Sequence, residues 1–260
     1  MRKEMRDVRI GVDIGHGADT PGKRCNGFVE HEFNSSVAIK FIEEMKKYGF
    51  DDMNFVLAQQ PYSKEVKLYN RYSKYDYIDF YISFHADAHS NTNINGISFY
   101  HWINSTKGIP LANCFAKHFR DSKIEIKFKK VDEADTDPSD GTYDNIGILR
   151  EPKSPGLLIE HGYMTNDLDR KVMSIEDTQI RFAKLWADAS VEYLIKQSVL
   201  DKSDLSILES SFPDGLEKWA VVPREWVINN QISDGSRPND IPTRQEIWTM
   251  LYNYDKKKGE

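Results

Sequence analysis

Val8-Arg9-Ile10-Gly11-Val12-Asp13-Ile14-Gly15-His16-Gly17 is β-branched as far as Ile14 and then breaks on a glycine–histidine–glycine triplet. That pattern predicts a buried strand running into a loop. Downstream, residues 34–48 repeat apolar side chains at Val37, Ala38, Phe41, Ile42 and Met45, the spacing of one helix face, with Gly49 at the expected stop. Phe55–Leu57 reads as a short strand, 64–75 as a helix, 80–84 as a second strong strand, 96–100 as another strand and 109–122 as a third helix. Residues 132–144 are acidic and rich in turn formers, which predicts a long exposed loop. Residues 156–160 form a short buried strand ending on an acid, and Glu176–Lys196 a long closing helix. Strands alternating with helices predict an α/β fold with a mostly parallel central sheet flanked by helices.

The composition shifts after that helix. Residues 197–215 are rich in Ser and Asp and read as a linker. Three of the five tryptophans (Trp219, Trp226 and Trp248) lie beyond it. Thr243-Arg-Gln-Glu246 is a capping box, and Ile247, Met250, Leu251 and Tyr254 follow at helical spacing. The expected organisation is therefore a catalytic domain over 1–197 and a small helical C-terminal module over 212–260. At 260 residues, 39% hydrophobic and 29% charged, the chain falls outside collagen-like, low-complexity and wholly disordered classes. No apolar run approaches the ~18–20 residues of a membrane span. A net charge of −6 without a basic stripe gives no sign of a nucleic-acid partner. Cys25 and Cys114, far apart, make no disulfide framework and fit a reducing interior. The charged start has no apolar signal region, so the expectation is synthesis in the cytoplasm without a signal peptide.

Two of the seven histidines stand where chemistry is expected. His16 follows the first strand and His85 the second, in Ser83-Phe-His85-Ala86-Asp87-Ala88. Ligands of open α/β sheets gather beyond the carboxyl ends of strands, so these two could converge on one metal. A hydrolytic zinc site needs about three protein ligands and an open position for water. Glu30, between the first strand and first helix, supplies a carboxylate, and Glu160 ends a third strand. Taken singly, each has a plainer reading: a loop histidine, a helix-entry acid, an acid bonded to backbone donors. The functional reading rests on their joint positions.

Those positions sit in ordered motifs: Asp13-Ile-Gly-His16-Gly17, Gly27-Phe-Val-Glu30, Ser83-Phe-His85-Ala-Asp-Ala88, Gly96…Tyr100, Gly147-Ile-Leu-Arg150 and Pro155-Gly-Leu-Leu-Ile-Glu160…Gly162-Tyr-Met-Thr-Asn166…Asp169. Together, over about residues 7–196, they resemble the zinc-dependent N-acetylmuramoyl-L-alanine amidases of the amidase-3 type. The resemblance implies zinc bound by His16, Glu30 and His85, with Glu160 catalytic. It also implies hydrolysis of the amide between N-acetylmuramic acid and L-alanine in bacterial peptidoglycan. Asp87 stands where the family usually has Asn, and His161 where a small residue is common. Arg150 and His161 are candidate substrate contacts, alongside plainer structural roles for both.

The tail is similar to one repeat of a surface-layer-homology module, which implies association with a secondary cell-wall polymer, dimerisation, or packing on the catalytic domain. The reading that follows is a phage or prophage endolysin that reaches the wall after release. A sporulation-type autolysin, a zinc peptidoglycan carboxypeptidase and a catalytically dead wall-binding protein are the alternatives.

Overall fold

The computed structural model describes residues 2–135 and 146–201. The chain divides into two units, Met1–Asp204 and Leu205–Glu260, and the description concerns the first. The expected C-terminal module at 212–260 lies outside the described residues, as does most of the expected acidic loop.

The strands are β1 (Ile10–Ile14), the short pair β2 (Arg24–Cys25) and β3 (Phe28–Val29), then β4 (Phe55–Leu57), β5 (Phe80–Asp87), β6 (Ile97–Trp102), β7 (Phe128–Ala134) and β8 (Gly156–Tyr163). The helices are α1 (Glu30–Lys46), α2 (Leu68–Tyr72), α3 (Gly108–Arg120), α4 (Gly147–Arg150), α5 (Asp167–Met173) and α6 (Glu176–Lys196). Six strands form one sheet in the order β4-β1-β5-β8-β6-β7. β4, β1, β5 and β8 run parallel. β6 is antiparallel to β8, and β7 runs with β6. The fold is therefore a mixed α/β sandwich with a mostly parallel sheet.

Alternation along each strand sorts the side chains onto two faces. On the first face, α1, α3 and α6 cover Ile10, Val12, Phe80, Ile82, Phe84, Leu157, Ile159 and Phe99, all fully buried. Trp186 of α6 lies at the centre of that layer, among the rings of Phe99, Phe115, Phe119 and Phe182. The second face carries a smaller cluster of Tyr75, Tyr81, Tyr100, Ile148, Leu149 and Leu158 under the short helices α2 and α4. A thin cover on that face leaves room for a cleft at the strand ends.

Three boundaries differ from expectation. α1 begins at Glu30 rather than at residue 34, because Val29 is still extended and Glu30 and Glu32 suit the positive end of the helix. Residues 64–75 hold only the short α2 and a 3-10 turn over Ser73–Tyr75. Residues 132–134, expected in a loop, end the edge strand β7, whose charged Lys129, Lys130, Asp132 and Glu133 hide the strand pattern while discouraging edge-to-edge pairing.

Candidate metal centre

The carboxyl end of β1 is pinned from several directions. Gln59, buried just after β4, donates from Nε2 to the Ile14 carbonyl at 2.8 Å and also to the His16 carbonyl. Its Oε1 accepts from the Val66 amide at 2.9 Å. His31 Nδ1 and Asn34 Nδ2, both on α1, donate to the Gly15 carbonyl at 2.9 and 3.3 Å. Arg71 Nη1 donates to Asp13 Oδ1 at 2.9 Å and to the Ile14 carbonyl at 3.2 Å, while Ser83 Oγ donates to Asp13 Oδ2 at 2.5 Å. Held this way, His16 adopts a left-handed backbone (φ 65°), a conformation that non-glycine residues keep only where surroundings impose it. Gly15 is required for space, since a Cβ there would overlap the His85 ring.

The outcome is a cluster around one carboxylate oxygen. Glu30 Oε1 lies 3.1 Å from His16 Nε2 and 3.0 Å from His85 Nδ1. A donor atom from each of the three residues falls within 4.8 Å of the other two. Glu30 Oε2 accepts from the Lys23 amide at 3.1 Å. Gly22, at φ +74°, passes so close that any side chain there would strike Glu30. Two imidazoles and a carboxylate are the donors that zinc accepts in hydrolytic sites, and the three atoms are near enough to share one ion.

Glu160 faces this cluster from the next strand. It is the register partner of His85 across β5 and β8, so both side chains rise from the same face of the sheet. Its Oε2 is buried and has no hydrogen-bond partner among the described residues, a costly state that suits a group awaiting a ligand or water. Burial, then the charges of Asp87 and Glu30, push the Glu160 carboxyl well above the usual range. Burial pushes Glu30 the same way, but hydrogen bonds and charge from His16 and His85 override it and hold that carboxyl far below. Burial disfavours the His16 cation, yet Glu30 outweighs it and raises the His16 pKa. The cluster opens into a cleft of about 600 Å³ whose lining includes His16, Glu30, His85, Asp87, Leu158 and Glu160.

The two candidate substrate contacts lie elsewhere. His161 points to the opposite face from Glu160, as its next neighbour on a strand must, and is fully buried there. Its ring touches Phe33, Phe84, Phe182 and Trp186; Nδ1 donates to the His85 carbonyl at 2.9 Å, and Nε2 accepts from Trp186 Nε1 at 3.0 Å. It is a core residue, not a substrate contact. Arg150 ends α4 beside Glu151 and lines a different depression with Trp102, Lys107 and Gly156, at the amino end of β8. That depression lies at the end of the sheet away from the cluster. Gln59 and Arg71 were not foreseen: one lies in a loop after β4 and the other on the short α2, and neither local pattern says that the side chain is buried against β1.

Comparison with known proteins gives the family. The family described as N-acetylmuramoyl-L-alanine amidase matches residues 10–191. A Buchnera aphidicola relative is 23% identical over 237 residues, 76% of this chain and 99% of its own length. The N-acetylmuramoyl-L-alanine amidase CwlM of Bacillus licheniformis is 27% identical over 164 residues, 62% of this chain and 59% of that protein. Among solved structures, the catalytic domain of the amidase CwlV from Bacillus (Paenibacillus) polymyxa var. colistinus has a TM-score of 0.62 at 23% identity, covering 72% of this chain and 98% of that one. The CwlD amidase of Clostridioides difficile, solved with the GerS lipoprotein, has a TM-score of 0.63 at 19% identity, covering 72% and 98%. The family match spans the whole α/β unit from the first strand into the closing helix, and the chain belongs to the N-acetylmuramoyl-L-alanine amidase family.

Proposed function

We propose that this amidase is zinc-dependent, that it cuts peptidoglycan between the lactyl group of N-acetylmuramic acid and L-alanine, and that it serves as a phage or prophage endolysin. The observation that carries the zinc reading is the convergence of His16, Glu30 and His85 beside an unpartnered Glu160 carboxylate oxygen.

His16, Glu30 and His85 would hold the ion. Zinc bound there supplies Lewis acidity toward the scissile carbonyl and the attacking water. The chain's own work falls to Glu160. Its carboxylate takes a proton from the water as oxygen attacks the carbonyl carbon, then delivers that proton to the departing L-alanine nitrogen as the C–N bond breaks. The products are a free lactyl carboxylate and a peptide with a new amino terminus.

Glu160→Gln tests the assignment. The variant should keep its fold and its zinc, since the side chain is similar in volume and is not a ligand, while the rate falls by ~10²–10⁴-fold. Mass spectrometry of wild-type digests should find new L-alanine amino termini and no new reducing sugar ends. Reducing ends would mean a glycosidase, and a cut inside the stem peptide a peptidase.

The endolysin role is supported by the resemblance of the tail to a wall-associated repeat. Expression in a bacterial host should leave cells intact until the membrane is permeabilised, and lysis should follow within minutes of that step. Lysis without permeabilisation would overturn the role and leave the enzymatic reading standing.

A further inference from the structure

α3 and α6 lie side by side on the helical face of the sheet, away from the cleft. Cys114 and His118 are four residues apart on α3, which places both on one side of the helix. That side meets Glu192 of α6. His118 Nε2 lies 2.6 Å from Glu192 Oε2, and the Cys114 thiol donates to the Ala189 carbonyl at 3.5 Å. The sulfur, the imidazole nitrogen and the carboxylate oxygen all fall within 4.8 Å of one another. As in the cleft, an imidazole closes on one carboxylate oxygen, here that of the partly exposed Glu192. Among the described residues these are the two clusters with metal-ligand chemistry at such distances.

We propose that Cys114, His118 and Glu192 form a second zinc site that ties α3 to α6. A thiolate, an imidazole and a carboxylate suit zinc and disfavour magnesium or calcium, which take oxygen donors. Ligand atoms around a tetrahedral zinc stand roughly 3.3–3.7 Å apart, so the ion would spread His118 and Glu192 by about 1 Å and draw the sulfur in. Cys114 gives up its thiol proton to solvent as the sulfur–metal bond forms. Thiolate and carboxylate together neutralise the ion, and the exposed Lys196 and Lys117, which pair with Glu192 in its absence, then turn their charge to solvent. Cys114 is nearly buried, whereas His118 and Glu192 are about one-fifth and one-quarter exposed, which gives the ion an entry path. The site takes no part in the hydrolytic proposal, and its test reads metal rather than activity.

Cobalt(II) distinguishes the two clusters, because the cleft holds no thiol and only Cys25 and Cys114 are present in the whole chain. The full-length protein, stripped of metal and titrated with cobalt, should bind two ions and show a thiolate-to-cobalt charge-transfer band. His85→Ala should bind one ion and keep the band; Cys114→Ser should bind one and lose it; Cys25→Ser should behave as wild type. His118→Ala should also lose the band, which guards against a special effect of the serine. A wild-type protein that saturates at one cobalt without the band, or a band that survives Cys114→Ser, overturns the site.

Discussion

His16, Glu30, His85 and Glu160 were legible because each stands at the end of an unmistakable apolar strand or at a helix start, where an open α/β sheet places its ligands. The residues that aim them were not. Arg71 is buried on α2 and pairs with Asp13, which is 1% exposed, but the two are 58 positions apart and nothing local links them. Arg71→Met should leave that acid in the core with only Ser83 and Tyr75 as donors. The expected loss is ~3–5 kcal/mol, the range for breaking a buried pair from one side. Asp13→Asn combined with Arg71→Met should lose less than Arg71→Met alone; urea unfolding of these two variants beside the wild type decides it. His161 carried two readings, a substrate contact and a plainer structural role, and alternation along β8 puts it on the face opposite Glu160, in the core. Burial holds its pKa down at about 3 against a normal 6.5. The unfolded chain therefore binds this proton from pH 6.5 downward and the folded chain does not until about pH 3. Within that window stability falls as pH falls, by up to about 1.4 kcal/mol per pH unit from this group. Compared with His161→Gln, the wild-type advantage should be greatest above pH 6.5 and shrink steadily below it, while contributions from other groups cancel in the difference. A pH-independent difference would mean that His161 takes up its proton in the fold as readily as in the unfolded chain.

At the level of elements, those with a strong period and a buried face were readable. α6 spans Glu176–Lys196 as expected, since its apolar residues recur on one side over five turns. β5 and β8 extended beyond their apolar runs, because His85, Asp87, Glu160 and His161 continue the strands with polar side chains that the site and core employ. Apart from β4, read over Phe55–Leu57, the shortest elements were not legible. β2 and β3 are two residues each, and α4 is a single turn. Their conformation comes from what they lie against: Tyr81, for instance, donates from its hydroxyl to the Ile148 carbonyl at 2.6 Å and so fixes α4 on the sheet. α6 is the element on which the helical layer depends. Trp186→Ala should cost ~3–5 kcal/mol, the range for removing a large buried aromatic side chain. For a domain of this size that corresponds to a fall in Tm of roughly 2–4 °C per kcal/mol. Because Trp186 Nε1 also donates to His161, Trp186→Phe should lose less than Trp186→Ala but more than volume alone explains. Calorimetry of both variants measures the split; a Trp186→Phe loss no larger than its lost volume accounts for would mean that the hydrogen bond contributes nothing.

For the whole molecule, the useful question is where the catalytic unit can be cut. Beyond α6 the chain is still tied to the domain: Leu200 is buried, the Lys3 amide donates to the Val199 carbonyl at 2.8 Å, and Arg2 pairs with Asp201 at 3.8 Å. A cut at the end of α6 would strip these contacts, whereas the division between Asp204 and Leu205 lies just past them. A chain ending at Asp204 should therefore unfold at nearly the full-length temperature, keep its metal and cleave soluble muropeptides at an unchanged rate. If the remainder holds a wall polymer, as its resemblance to a surface-layer-homology repeat implies, the same truncation should weaken lysis of intact walls by up to ~10²-fold. A tethered enzyme gains effective concentration at its substrate, and a soluble fragment gives the tether nothing to hold. The contrast between the two substrates is the decisive reading. Equal loss on both would place the tail in the catalytic machinery, and no loss on either would remove wall targeting. Sedimentation of the full and shortened chains over a range of concentrations then separates a pairing role from targeting: a tail that dimerises gives a mass that rises with concentration only when it is present.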